Sequence, residues 1–225
     1  MPGAKRMLLP SGTAMRRLPF GIARGLRMEI DFRIQTKTYL GLYEIELNRC
    51  IREMCSTGAR CFDVGGQFGY DALVFAKLTD GLVRSFDWDA DAVATMRRTF
   101  AANPQMCDRI DVLHAIIADQ SDTSSRRLSL DDAAWGPGGF VPDVVKIDID
   151  GGEVAALEGG KRLMAERQPH MIVETHSPEL EQSCAELLIG AGYRPTVIDS
   201  RRWLRDLRPI PHNRWLVARG AHRHP

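Results

Sequence analysis

No apolar run in the 225-residue chain approaches the 18 residues that a membrane-spanning helix requires, so no such helix is expected. Cysteine is scarce: the five residues at 50, 55, 61, 107 and 184 include no C-x-x-C pair, and no histidine stands at zinc-ligand spacing from them. That pattern argues against structural zinc and against a disulfide framework, and reduced thiols in a cytoplasmic protein are the expectation. The first 28 residues hold no acid, but Pro10, Pro19 and several glycines interrupt every apolar stretch there. A secretory signal is therefore not expected. A 20 to 50-residue repeat and a low-complexity tract are also missing, which excludes solenoids and propellers.

What is present is the composition of a globular protein, 44% apolar and 26% charged, long enough for one domain with a substantial core. The net charge of +1 conceals three blocks, with +6 in residues 1–28, −11 in residues 29–200 and +6 in residues 201–225. The reading is a basic N-terminal tail over 1–28, weakly ordered or packed on the domain, followed by a single domain over 29–225. A nucleic-acid binder usually has a basic body, whereas here only the ends are basic, so nucleic acid is not an indicated partner. No oligomeric state is read from the sequence.

Short apolar runs alternate with helical stretches, as βαβ units around a parallel sheet require. Strands are expected at 60–64, 82–86, 110–116, 144–149, 171–174, 196–199 and 215–218. Helices are expected at 39–54, 70–77, 90–103, 153–167 and 178–191, where apolar residues recur at spacings of three and four. The last two strands are only about 15 residues apart, too close for a parallel crossover, and so should pair antiparallel. The fold class is α/β: a three-layer Rossmann-like sandwich with a seven-stranded, mostly parallel sheet and one antiparallel strand.

The sharpest local feature is Asp63-Val64-Gly65-Gly66-Gln67-Phe68-Gly69, a strand running into a glycine-rich turn and then a helix. It lacks the G-x-G-x-x-G spacing of a dinucleotide fingerprint and the Gly-Lys-Ser/Thr of a P-loop. The acid at the strand end would repel a pyrophosphate and suits a cationic ligand. Asp87, 18 residues past Gly69, ends the second strand, where a carboxylate accepts both hydroxyls of a ribose. Asp119 follows the third strand, placed to accept from an adenine amine. Together these acids point to an adenosine-bearing ligand with an ammonium or sulfonium group.

The same string, with Asp87, with Ser129-Leu130-Asp131-Asp132, with Lys146-Ile147-Asp148-Ile149-Asp150-Gly151-Gly152-Glu153 and with Ile172-Val173-Glu174-Thr175-His176, resembles the FkbM family of S-adenosylmethionine (SAM)-dependent methyltransferases. The resemblance covers about residues 39–218 and includes Gly41-Leu42-Tyr43-Glu44. Its specific part is the Lys-Ile-Asp-x-acid-Gly-x-Glu string; Asp150 stands where the family more often has Glu, and Gly66-Gln67 replaces Ala-Asn. The resemblance implies the class I methyltransferase fold, SAM as donor, and O-methylation of a sugar or other small metabolite. It places Gly65, Gly66 and Gly69 beneath the methionine part of SAM, Asp63 at its amino group directly or through water, Asp87 on the ribose, Asp119 on the adenine amine and Trp88 or a neighbouring apolar side chain against the ring.

Alternation along 146–150 puts Lys146, Asp148 and Asp150 on one face. Charges there are costly in a central strand unless they reach a cleft at its carboxyl end, where doubly wound sheets bind ligands. An alcohol acceptor needs a base or a metal to take its proton. His176 is the candidate general base, assisted by Asp148 and Glu174; Asp148, Asp150 and Glu174 are alternatively ligands for Mg²⁺. His114 reads as a mid-strand packing residue, and His212, His222 and His224 as part of the basic C-terminal segment. The acceptor is read as a small hydroxylated molecule, glycosylated or carrier-linked, with Arg201, Arg202, Arg205 and Arg208 offering guanidinium groups to a phosphate-bearing carrier. Two other functions compete: a nucleic-acid methyltransferase using the basic ends, and a non-catalytic SAM-fold partner protein. The Asp148-Ile149-Asp150-Gly151 string stands where base N-methylation uses Asn/Asp-Pro-Pro-aromatic, which disfavours the first; SAM binding without turnover would favour the second.

Overall fold

A computed structural model describes residues 12–201 and 212–221. The described residues begin with an antiparallel hairpin of β1 (Thr13–Arg17) and β2 (Arg27–Asp31). In β2, Met28 and Ile30 alternate inward with period two, and Leu18, Ile22 and Leu26 join them in the core. The boundary expected after residue 28 thus passes through a strand. Next come α1 (Thr36–Tyr39), a 3-10 turn (Ile45–Leu47) and α2 (Asn48–Met54). One helix over 39–54 was the expectation; it is interrupted because Gly41 and Glu44 take left-handed backbone conformations, φ 68° and 42°. At Gly41 the chain also crosses Gly21 closely, since a Cβ there would lie 2.6 Å from the Gly21 nitrogen.

From there the expected alternation appears. It comprises β3 (Cys61–Val64), α3 (Tyr70–Thr79), β4 (Val83–Asp87), α4 (Ala90–Ala101) and β5 (Ile110–His114). A small parallel pair, β6 (Ile116–Ile117) and β7 (Arg127–Leu128), precedes α5 (Leu130–Trp135), whose first turn is capped by Ser129 Oγ accepting from the Asp132 amide. The rest is β8 (Val144–Ile147), α6 (Glu153–Glu158), α7 (Lys161–Glu166), β9 (His170–Thr175), α8 (Pro178–Gly190), β10 (Thr196–Asp199) and β11 (Arg214–Ala218). The single helix expected at 153–167 is two, broken at Gly159-Gly160. A Cβ on Gly159 would sit 2.0 Å from the Ala118 carbonyl oxygen, so the chain needs glycine there for close approach.

Seven strands form the main sheet in the order β10-β11-β9-β8-β3-β4-β5. Only β11 is antiparallel to its neighbours, β9 on one side and β10 on the other. Alternate side chains feed two core layers. Val144, Ile172, Trp215 and Val217 pack under α2, α3 and α4, while Val145, Ile147, Val173 and Leu216 pack under α5 to α8. The five cysteines are unpaired, four of them buried. Strand order reverses between β3 and β8, so a crevice opens at their carboxyl ends. No helix among the described residues is long and apolar enough to cross a membrane.

Candidate active site

The glycine turn leaves β3 and enters α3. Gly65 (φ 89°) and Gly66 donate their amides to the Phe86 carbonyl at 2.9 and 3.1 Å, which folds the turn over the end of β4. A Cβ on Gly65 would come within 1.8 Å of the Asp148 carbonyl oxygen, and one on Gly66 within 1.9 Å of Ser85 Oγ. Backbone thus leaves no room for a side chain at Gly65, whereas at Gly66 a Cβ would displace the side chains of Ser85 and Met96. Gly69 (φ 80°) begins α3 with no side-chain cap, which leaves a helix N-terminus facing the crevice able to receive an anion such as a carboxylate.

Asp87 ends β4 and holds the turn. Its Oδ2 accepts from the Gln67 amide and its Oδ1 from the Asp89 amide, both at 2.9 Å. Each oxygen keeps a further lone pair for a ligand hydroxyl. Asp63 is buried beneath the turn, where Ser85 Oγ donates to its Oδ2 at 2.8 Å. Burial, and then the charge of Asp71, push its carboxyl up to about 7. Trp88, one residue past β4, is 70% exposed, and its carbonyl is held by His114 Nε2 at 2.8 Å. His114 ends β5 instead of packing mid-strand. The expected strand at 110–116 is divided after it, and Asp119 lies beyond β6, paired with Arg127 at 3.1 Å.

On the other side of the reversal, β8 closes at Ile147, two residues earlier than expected. Lys146, 1% exposed, lies 2.7 Å from Glu44 Oε2 and 2.6 Å from Asp71 Oδ2. Burial opposes its charge, but those two carboxylates outweigh it and hold the ammonium well above the ordinary lysine range. Lys146 thus ties β8 to α3 and to the 41–47 segment. Asp148 is 3.9 Å away, and burial together with the neighbouring Glu174 raises its carboxyl well above the usual range.

His176, at the end of β9, is surrounded by carboxylates. Its Nδ1 is 3.1 Å from Glu153 Oε1, and its Nε2 is 3.4 Å from Asp150, 3.6 Å from Glu174 and 3.8 Å from Asp148. Glu153, then Glu174, raise its pKa to about 10. The neighbouring carboxylates thus favour the protonated ring over the neutral one. Asp148, Glu174 and His176 each offer one ligand atom, all within 4.8 Å of one another. His176 replaces the exposed Asp150 in the triplet expected from sequence.

Sequence reasoning assigned no role to Glu44, Asp71 or Glu153. Glu44 and Glu153 lie inside the family-like strings and were visible there. Asp71 gave no signal, because an acid in the first turn of a helix is ordinary. Arg201 is occupied by Glu46 at 2.7 Å and the Leu42 carbonyl at 2.6 Å. His212 is 3.1 Å from Glu181. Arg202, Arg205, Arg208, His222 and His224 lie outside the described residues.

The profile of the Methyltransferase FkbM domain matches residues 91–208, just over half of the chain. No protein of curated function matches the sequence. Among solved structures, an FkbM methyltransferase from Methylobacillus flagellatus KT is similar with a TM-score of 0.60 and 17% identity, over 72% of this chain and 43% of that one. The chain therefore spans less than half the length of that protein. A SAM-dependent O-methyltransferase from Thermotoga maritima gives a TM-score of 0.57 at 12% identity, over 81% of this chain and 68% of that one. The tRNA (uracil-54, C5)-methyltransferase of Pyrococcus abyssi, in complex with S-adenosyl-L-homocysteine, gives 0.60 at 16%, over 93% and 45%. At these identities the structural likenesses establish the class I methyltransferase fold and leave the acceptor undecided. With the family profile and the glycine turn in agreement, the chain belongs to the FkbM family of SAM-dependent methyltransferases.

Proposed function

We propose that the protein is a single-domain cytoplasmic enzyme that methylates a hydroxyl of a sugar or other small metabolite, free, glycosylated or carrier-linked. One observation carries this reading: Gly65 packs against the Asp148 carbonyl, so the turn suited to the donor adjoins a cluster of carboxylates and imidazole suited to an acceptor hydroxyl. SAM, when bound, supplies a methyl group on a sulfonium sulfur that departs as a thioether. Asp87 holds the ribose hydroxyls with the lone pairs its backbone bonds leave free. Gly69 presents the uncapped start of α3 to the methionine carboxylate, Gly65 and Gly66 bring the turn close, and Asp63 faces the ammonium directly or through water. Trp88 or a neighbouring apolar side chain would cover the adenine, and Asp119, paired with Arg127 at 3.1 Å, would accept from its amine. The start of α3 and Asp63 thus suit the carboxylate and the ammonium of the methionine part.

Asp148, Glu174 and His176 manage the acceptor's proton at the tips of β8 and β9. Asp148, whose carboxyl is raised, is a stronger base than an ordinary carboxylate, whereas His176 serves as a base only if its own proton is displaced. Mg²⁺ is the ion expected from the carboxylates alone. Calorimetric titration with SAM tests the donor side: Asp87→Ala is expected to weaken binding at least tenfold, and undiminished binding would remove Asp87 from the site. Transfer from methyl-labelled SAM to neutral glycosides and to phosphate-bearing acceptors, with and without EDTA, tests the acceptor side.

A further inference from the structure

The groups at the tips of β8 and β9 are spaced around a gap. The distances from His176 Nε2 to the oxygens of Glu174 and Asp148, 3.6 and 3.8 Å, are too long for good N–H···O bonds. They are near the separation of two atoms sharing one ion, because two ligands each about 2.1 Å from a metal at a tetrahedral angle stand about 3.4 Å apart, and a wider angle sets them further apart. A second observation lies behind the ring. Glu153 is fully buried, its Oε1 bonds His176 Nδ1 at 3.1 Å, and its Oε2 has no hydrogen-bond partner. A buried carboxylate on one imidazole nitrogen fixes the tautomer and aims the other nitrogen at a metal. Glu174 is oriented too, since Trp215 Nε1 donates to its Oε2 at 3.0 Å and leaves Oε1 toward the ring. Lys146 does not supply the missing positive charge, because Glu44 and Asp71 hold it at short range and Asp148 is 3.9 Å away.

We propose that Asp148, Glu174 and His176 bind a divalent transition-metal ion, with Glu153 as the positioning residue for the imidazole. One nitrogen and two carboxylate donors suit Mn²⁺, Fe²⁺, Co²⁺ or Zn²⁺ better than Mg²⁺, which favours oxygen ligands and keeps its waters. The site deepens the O-methylation reading and rests on it only for its role. An ion there lowers the pKa of an oxygen it binds, which is what an alcohol acceptor needs.

The test is titration of the EDTA-treated, dialysed full chain with Mn²⁺, followed by calorimetry and electron paramagnetic resonance without SAM. One saturable Mn²⁺ per chain is expected, with Mg²⁺ at least tenfold weaker. Glu174→Gln and His176→Asn should each weaken Mn²⁺ binding more than tenfold. Glu153→Gln should weaken it about 10 to 100-fold with the stoichiometry retained, as a positioning residue would. Pulsed resonance on the wild type needs no variant to fold and should show coupling of the Mn²⁺ to an imidazole nitrogen. No saturable Mn²⁺ site, no nitrogen coupling, or equal preference for Mg²⁺ would each overturn the proposal. SAM binding measured on the same preparation separates the two readings: its loss with Mn²⁺ binding intact counts against methyl transfer, and its persistence without Mn²⁺ binding counts against the metal site alone.

Discussion

Asp63 illustrates how burial sets a charge to be used. With a folded pKa of about 7 against an ordinary 3.8, the folded state keeps a proton that the unfolded chain loses. Its contribution to stability is therefore complete below about pH 4 and is lost as pH rises through 7. A cationic cofactor selects the ionised form, so SAM affinity should increase from pH 6 to 8 in calorimetry. Asp63→Asn should flatten that profile and raise the melting temperature at pH 8 by about 2–4 °C, or ~1 kcal/mol for a domain of this size, with no gain at pH 4. An affinity independent of pH in the wild type would take Asp63 off the ammonium. Lys146 is the complementary case. Lys146→Met leaves Glu44 and Asp71 buried without their cation and should cost about 3–5 kcal/mol in denaturant unfolding.

At the scale of elements, Gly159 sets two effects against each other. Alanine in its place gains about 1 kcal/mol of helix propensity, but its Cβ would meet the Ala118 carbonyl at 2.0 Å. Backbone cannot yield as a side-chain tip can, so Gly159→Ala should be destabilising by about 1–3 kcal/mol, read from the shift in denaturation midpoint. A stabilised variant would show that the 118–119 segment moves freely. Apolar periodicity revealed both sides of this junction as helix and missed the break, because the reason for it is a contact 41 residues away in sequence. The β1–β2 hairpin was hidden for a different reason: five-residue strands with arginine on the outer face look like a basic tail until Met28 and Ile30 are seen to share an inner face. Helix α5 lies outside the helices expected from apolar spacing, although Ser129 and Asp132 hold the spacing of a cap.

For the whole molecule, the hairpin and the sheet share one core layer. Leu18, Ile22, Met28 and Ile30 pack in the same cluster as Leu73, Phe75 and Val144. Removing residues 1–31 should therefore abolish the cooperative thermal transition followed by calorimetry; a truncated chain that melted sharply and bound SAM would make the hairpin an appendage. The seven strands of the main sheet, the antiparallel closing pair, the glycine turn and the acids at strand tips were legible in the sequence, because alternation of period two and 3.6 and the demand for glycine are local properties of a chain. The acid-rich middle block was legible as well, though not its arrangement. Only the tertiary structure brought Glu44, Asp71 and Lys146 into one buried group, inserted β11 between β9 and β10, and surrounded His176 with four carboxylates. Those are decisions of distance between segments far apart in sequence, and the protonation of an imidazole follows from the charges beside it, which no spacing along the chain records.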